Sequence, residues 1–388
     1  MRPPERPTDQ GKRQATTGGS SPSGASAPGG TSAPSGASAP GGGSAPRGGS
    51  ALIGVVWLNL GGPATTADLP AFLRSMLSDP TVVSAPAPLR WGISRFAATF
   101  RAPRVAHHYR RIGGGSPLYA ESARQLAALN RELGPGFTSA IAFRHSPPRA
   151  DAALTELARS GCKRLVAFPA YPQRSRGTTD SALADLRRAA APLGLEVASC
   201  PSFPADELFI DALAAGVRTC LKRGERTPHL LFSSHGLPES ALRRGDPYRD
   251  EVELTAAALA ARFPELSSSL AFQSRLGPVA WTRPYLTDEL RRLAADGVTS
   301  VIVAPLAFAC ENFETLYELD IEVAALAASL GITSFLRAPA PGKHPAFITC
   351  AARSIRRSAA AAGWLPSPPS PAPRTHHGHS PDFSTRQA

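Results

Sequence analysis

Short apolar runs alternate with segments of helical period over most of this chain, and that alternation limits the folds open to it. The runs Leu52–Leu60, Ser139–Phe143, Arg164–Phe168, Glu196–Ser199, His229–Ser234, Ser269–Phe272 and Ser300–Ala307 have the length and content of buried strands. Between them, apolar residues recur at helical spacing over Ala67–Leu77, Tyr119–Leu133, Arg149–Ser160, Asp180–Ala190, Ala205–Cys220, Asp250–Arg262, Tyr285–Ala295 and Asn312–Ser329. Continuously apolar strands separated by helices predict α/β parallel sheets covered by helices on both faces. Two such blocks are visible, 51–200 and 201–344. A last helix, Pro345–Ala362, is free to pack back on either block and is grouped here with the first. In such folds ligands sit beyond the carboxyl ends of the strands.

The two ends read differently. Residues 1–50 are almost entirely Gly, Ser, Ala, Pro and Thr, and residues 363–388 are proline-rich with a His376–His379 cluster. Neither has an apolar face whose burial would offset chain entropy, so both are expected to be disordered tails. The chain carries a formal charge of +12, of which about +8 falls between the tails. That balance favours anionic partners. The basic blocks and aromatic-basic repeats of nucleic-acid modules are missing, so no nucleic-acid partner is expected. Cys162, Cys200, Cys220, Cys310 and Cys350 are widely spaced, which suits a reducing compartment. No apolar run reaches the roughly 18 residues of a membrane span, and the first residues lack a signal-peptide core. A cytoplasmic protein is expected.

Polar residues gather where the strands end. Leu231-Phe232-Ser233-Ser234-His235-Gly236-Leu237-Pro238 delivers a histidine to a strand end and follows it with glycine. Such a histidine is either a satisfied buried side chain or a proton acceptor and metal ligand. The Val301–Phe308 run is followed by Glu311, Glu314, Glu318 and Glu322, spaced to line one helical stripe. The stripe is either a solvated acidic face or a row of hard oxygen ligands that passes a cation or protons. Asn59-Leu60-Gly61-Gly62-Pro63 forms a tight turn after the first strand but is no dinucleotide fingerprint. Tyr109–Leu118 holds three glycines and Ser116, a loop whose amides suit an anion. Upstream, Arg90, Arg95, Arg101 and Arg104 interleave with Trp91, Phe96 and Phe100. This is either a solvated helix face or an amphipathic lip for a large apolar carboxylate or a membrane surface. Arg101 is the best candidate there for a carboxylate contact. Arg144 and Tyr171 also follow strands and are candidate pocket residues. Trp281, on a loop, either stacks on a planar ligand or packs in the core.

These motifs, taken in order over about 52–362, resemble the ferrochelatase family. The resemblance rests on Leu58–Pro63, Tyr109–Leu118, Phe168–Thr179, Ser233–Pro238, Arg244–Tyr248, Gln273–Trp281 and Glu314-Thr315-Leu316-Tyr317-Glu318-Leu319-Asp320-Ile321-Glu322. It implies two Rossmann-like domains without nucleotide and a lyase that inserts ferrous iron into a porphyrin with release of two protons. It places the family's paired histidine and acid on His235 and Glu314, facing the pyrrole nitrogens as proton acceptors and metal ligands. It further implies that Leu60, Tyr248 and Trp281 hold the macrocycle and that Arg101 and Ser116 meet its propionates. Arg144 and Tyr171 would complete the porphyrin pocket, and Glu311, Glu318 and Glu322 would form a metal or proton path.

Three departures shape the expectation. Glu311 and Asn312 precede Glu314, so a second histidine is missing. Some relatives hold an iron–sulfur cluster; here Arg176 stands at the internal cysteine position and no cysteine follows Cys350, so no cluster is expected and iron is substrate only. The strand before Gly61 reads Val56-Trp57-Leu58-Asn59-Leu60, without the tyrosine of coproporphyrin-using relatives, which favours protoporphyrin IX. A coproporphyrin or other tetrapyrrole chelatase, and a porphyrin or haem carrier without turnover, are the rival readings. Peripheral membrane contact would fall on residues 90–111.

Overall fold

The computed structural model describes residues 52–366 except 225–226 and 275–278. The tail at 1–50 and the histidine cluster at 376–379 lie outside the described residues, as does part of the Gln273–Trp281 motif.

Two four-stranded parallel sheets form the frame. The first holds β1 (Ile53–Asn59), β2 (Phe137–Phe143), β3 (Arg164–Pro169) and β4 (Glu196–Ser199) in the order β2-β1-β3-β4. The second holds β5 (His229–His235), β6 (Ser268–Gln273), β7 (Ser300–Pro305) and β8 (Ser334–Arg337) in the order β6-β5-β7-β8. The two sheets repeat one topology, with β1 and β5 at equivalent central positions. Every residue of β1 is buried, as a strand covered on both faces requires. β1 is apolar until its last residue, Asn59, whereas β5 is buried but carries His229, Ser233 and Ser234 before it ends in His235.

Helices α1 (Leu69–Leu77), α2 (Ala87–Phe96) and α3 (Ala102–Arg110), with a π-helical turn at Ala97–Arg101, fill the connection from β1 towards α4 (Leu118–Leu133) and β2. The sequence reading places no core-packing helix over 87–110, only a solvated helix face or an amphipathic lip. Leu89, Trp91, Ile93, Phe96 and Phe100 are exposed there, and the inward side of α3 is only Ala102, Ala106 and Tyr109, a stripe too small to stand out. The corresponding connection in the second half holds only α8 (Glu239–Arg243) and α9 (Tyr248–Ala260). Helices α5 (Ala150–Arg159), α6 (Ser181–Ala190), α7 (Glu207–Leu221) and α10 (Leu286–Ala295) cover the sheets. A ten-residue π-helix, Glu314–Val323, continues into α11 (Ala324–Ser329).

The final helix, α12 (Pro345–Ala361), lies on the first sheet. Its Phe347 meets Trp57 edge-on at 6.2 Å, and Trp57 stacks on Phe168 of the neighbouring strand at 4.8 Å. This cluster continues through Phe203 and Phe209 to Phe232 and Ile302 of the second sheet, so one apolar core joins both halves. Trp364 and Leu365 pack against it, so ordered packing extends past the boundary expected at 363. Phe347 is fully buried in the cluster. Phe347→Ala is expected to cost about 3–5 kcal/mol of unfolding free energy, read from urea midpoints, because the large cavity cannot collapse between two sheets.

Candidate active site

The second sheet brings the candidate reactive groups together. His235 ends β5 in register with Gln273 at the end of β6. The His235 Nδ1 lies 2.6 Å from the Gly236 carbonyl oxygen. A carbonyl only accepts, so Nδ1 carries a proton and donates, and in the neutral ring Nε2 is then the acceptor. The Gly236 amide donates to the Gln273 carbonyl at 2.8 Å. A Cβ at position 236 would stand 3.1 Å from that carbonyl and 3.4 Å from the Trp281 ring. Glycine therefore lets the backbone turn closely under the indole. Trp281 is itself largely buried and meets the His235 ring at 6.1 Å.

Gln273 joins these strand ends to the acids. Its Oε1 accepts from the Ser233 hydroxyl at 2.6 Å. Its Nε2 donates to Glu318 at 2.9 Å and to the Glu314 carbonyl at 3.4 Å. Ser274 also donates to Glu318, from a left-handed backbone with φ of 62°. Burial, followed by the charge of Glu314, pushes the Glu318 carboxyl above the usual carboxylate range, while the Ser274 and Gln273 donors and His235 pull the other way. His235, Glu314 and Glu318 thus share one electrostatic environment. Tyr109 joins them: it is buried, and its hydroxyl is pushed up by burial and by both acids.

The first sheet supplies a shaped wall. Leu60 is half-buried beyond β1, and the Gly62 amide donates to Ser146 at 3.1 Å. The Ser116 amide donates to the Pro63 carbonyl at 2.8 Å. A Cβ on Gly115 would lie 2.0 Å from the Ala64 carbonyl oxygen, so the two glycine turns interlock. Leu118, Phe143 and Cys310 pack together and bring this loop against the exit of β7. Arg101 is exposed at the end of the π-turn, between the exposed Phe100 and α3.

Several expected residues stand elsewhere. Arg144 is not open to a ligand: it donates to Asp79 at 2.6 Å and to Ser181 at 2.8 Å, so a partner 65 residues away consumes its charge. Tyr171 packs beside the outer core of the first sheet with its hydroxyl buried and unbonded. Tyr248 lies in the main core, its hydroxyl beside Ser234, behind the strand that ends in His235. Glu311 leaves the acidic row, because Arg337 donates to it at 3.0 Å and the Ala340 amide does likewise at 3.0 Å. Glu322 is exposed at the far end of the π-helix and interacts with Tyr317. The sequence reading missed Gln273 and Tyr109 as site residues. Both stand inside motifs already quoted for the resemblance, and Gln273 has the further signal of ending a strand beside His235.

A match to the ferrochelatase family model covers residues 52–359. A ferrochelatase of Geotalea daltonii is 36% identical over 307 residues, covering 78% of this chain and 96% of its own. One from Hyphomonas neptunium is 38% identical over 307 residues, covering 76% and 85%. Among solved structures, SirB from Bacillus subtilis with Fe3+ superposes with a TM-score of 0.52 at 12% identity, over 80% of this chain and 97% of that one, which is a likeness of fold.

The Arg144 cluster generates a test of its own. Its neighbour His145 is buried beside Asp79, with the Ser75 hydroxyl 3.2 Å from Nδ1. Burial first, and Arg144 second, lower its pKa from 6.5 to about 4. Unfolded chains bind a proton there near 6.5 and the folded chain only near 4, so stability falls as pH drops through that window. His145→Gln is expected to remove about 3 kcal/mol of the acid-induced loss between pH 7 and 4, measured by urea unfolding at a series of pH values.

Proposed function

The chain belongs to the ferrochelatase family, whose members insert a metal into a porphyrin, and we propose that protoporphyrin IX and ferrous iron are its substrates. The observation that supports this best is the joining of the His235 strand end to Glu314 and Glu318 through one buried amide.

Metal insertion needs two pyrrole protons removed while a cation enters. Neutral His235, with Nε2 free to accept, takes a pyrrole proton. Glu314 offers a hard oxygen on the same side and receives ferrous iron before the ring does. Glu318, with its raised pKa, holds a proton readily and passes it outward towards Glu322. Trp281 and Leu60 press on the macrocycle and favour the bent ring, whose nitrogen lone pairs tilt out of plane. This spends binding energy on distortion. Tyr109 faces the acids and adds a donor at the pocket wall. Arg101 and Ser116 meet the propionates. Leu60, an apolar side chain with no donor for a further carboxylate, suits the vinyl edge of protoporphyrin. The protein works without an iron–sulfur cluster, Arg176 standing at the internal ligand position.

Residues 90–111 carry an apolar and cationic surface suited to a membrane rim. Arg95 lies 4.5 Å over the exposed Trp91 ring, and the Phe96 ring meets that of Phe100 at 4.8 Å, tilted by 38°. Among the described residues no helix is long and apolar enough to cross a membrane. The protein is a cytoplasmic one that touches the bilayer from its surface. Trp91→Ser with Phe96→Ser is expected to abolish co-sedimentation with anionic vesicles while sparing turnover in detergent.

Anaerobic insertion of iron is expected to be at least tenfold faster, in kcat/KM, with protoporphyrin IX than with coproporphyrin; the reverse order would sink the substrate assignment. His235→Ala should lower kcat by at least about 100-fold while porphyrin fluorescence still quenches on binding, because a proton acceptor is lost but the cleft is not.

A further inference from the structure

A stack of four rings joins the lip to the acid-bearing helix. His108, at the end of α3, lies face to face with Tyr317 of the π-helix, with centroids 4.4 Å apart and planes within 12°. Tyr109 stacks on Phe313 at 4.7 Å, and Phe313 stacks on Tyr317 at 5.2 Å. The Arg111 guanidinium caps Tyr317 at 5.7 Å from its centroid. Two successive residues of the lip thus grip the first turn of the helix that carries Glu314, Glu318 and Glu322.

We propose that His108 is a positioning residue, which locks the lip to the π-helix so that seating the macrocycle and aligning the acids become one movement. The proposal rests on the metal-insertion reading and adds a residue to it. A π-helix is a rare geometry that persists only where its surroundings favour it. Here the opposite side is held by Arg337 of β8, which donates to Asp320 at 2.6 and 2.8 Å. The lip side is held by the ring stack, into which His108 fits as a flat, half-buried ring beside Glu322. Burial favours its neutral form, and a neutral imidazole stacks on phenol without desolvating a cation. Because the lip also bears Arg101 and the exposed Trp91, Phe96 and Phe100, any shift of the lip on a bound ring is transmitted to Glu314 through Phe313 and Tyr317.

The lock acts on the step after binding, so its loss separates kcat from affinity. His108→Ala is expected to lower kcat about three- to tenfold, the range of one lost aromatic pair, with the porphyrin Kd changed less than twofold. Amide hydrogen exchange across 314–323 in the free protein should speed up by a similar factor. His108→Phe, which keeps a flat ring, should restore both. Unchanged exchange at 314–323 in His108→Ala would overturn the lock, as would a His108→Phe variant that behaves like alanine. If His108→Ala fails to fold, His108→Gln gives the same comparison. A wild-type protein that inserts no metal would instead sink the functional reading, while the exchange measurement would still decide the lock.

Discussion

The site depends on one buried amide. Gln273 accepts from Ser233 with one end and donates to Glu318 and the Glu314 backbone with the other. An amide offers both roles within a single planar group, and a carboxylate or an apolar side chain offers at most one. Without it, strand β5 and the π-helix would share a cleft but no fixed distance, and a buried Glu318 would lose a donor that tempers its burial. The spacing between the His235 strand end and the acids is therefore set from the neighbouring strand.

The alternation of strands and helices is plain in the sequence because buried parallel strands leave long apolar runs. Two kinds of element escape that signal. Strand β8, Ser334–Arg337, has only four residues, all half-buried, and follows closely on the helical run that ends at Ser329. The lip helices turn most of their large apolar and cationic groups to solvent, and the inward side of α3 offers only Ala102, Ala106 and Tyr109. At the site, His235 was legible because a histidine closes a buried strand and a glycine follows it. Arg144 and Glu311 misled for the same reason as each other: their partners, Asp79 and Arg337, are remote in sequence, and charge pairing across a fold leaves no local pattern. The acidic stripe was read with an α-helical period, whereas a π-helix turns less per residue and Glu311 precedes it.

The two halves use one topology for different ends. Asn59 and His235 occupy the same place at the ends of their central strands. The Asn59 side chain accepts from the Leu60 amide at 2.8 Å and so is used up in shaping a turn. His235 keeps one nitrogen free. One half thus contributes form, with interlocked glycine turns and a lip, and the other contributes reactive groups.

The lip has a consequence for how copies of the protein meet each other. Trp91, Phe96 and Phe100 are each more than half exposed, a cluster that would draw two copies together in water. A formal charge of +12 opposes that approach, and its reach shrinks with added salt. Colloidal behaviour is thus a contest between a short-range apolar attraction and a long-range repulsion. In dilute buffer the repulsion reaches farthest and opposes association. Near an anionic bilayer the same charge becomes an attraction, and the two forces that compete in solution act in the same direction.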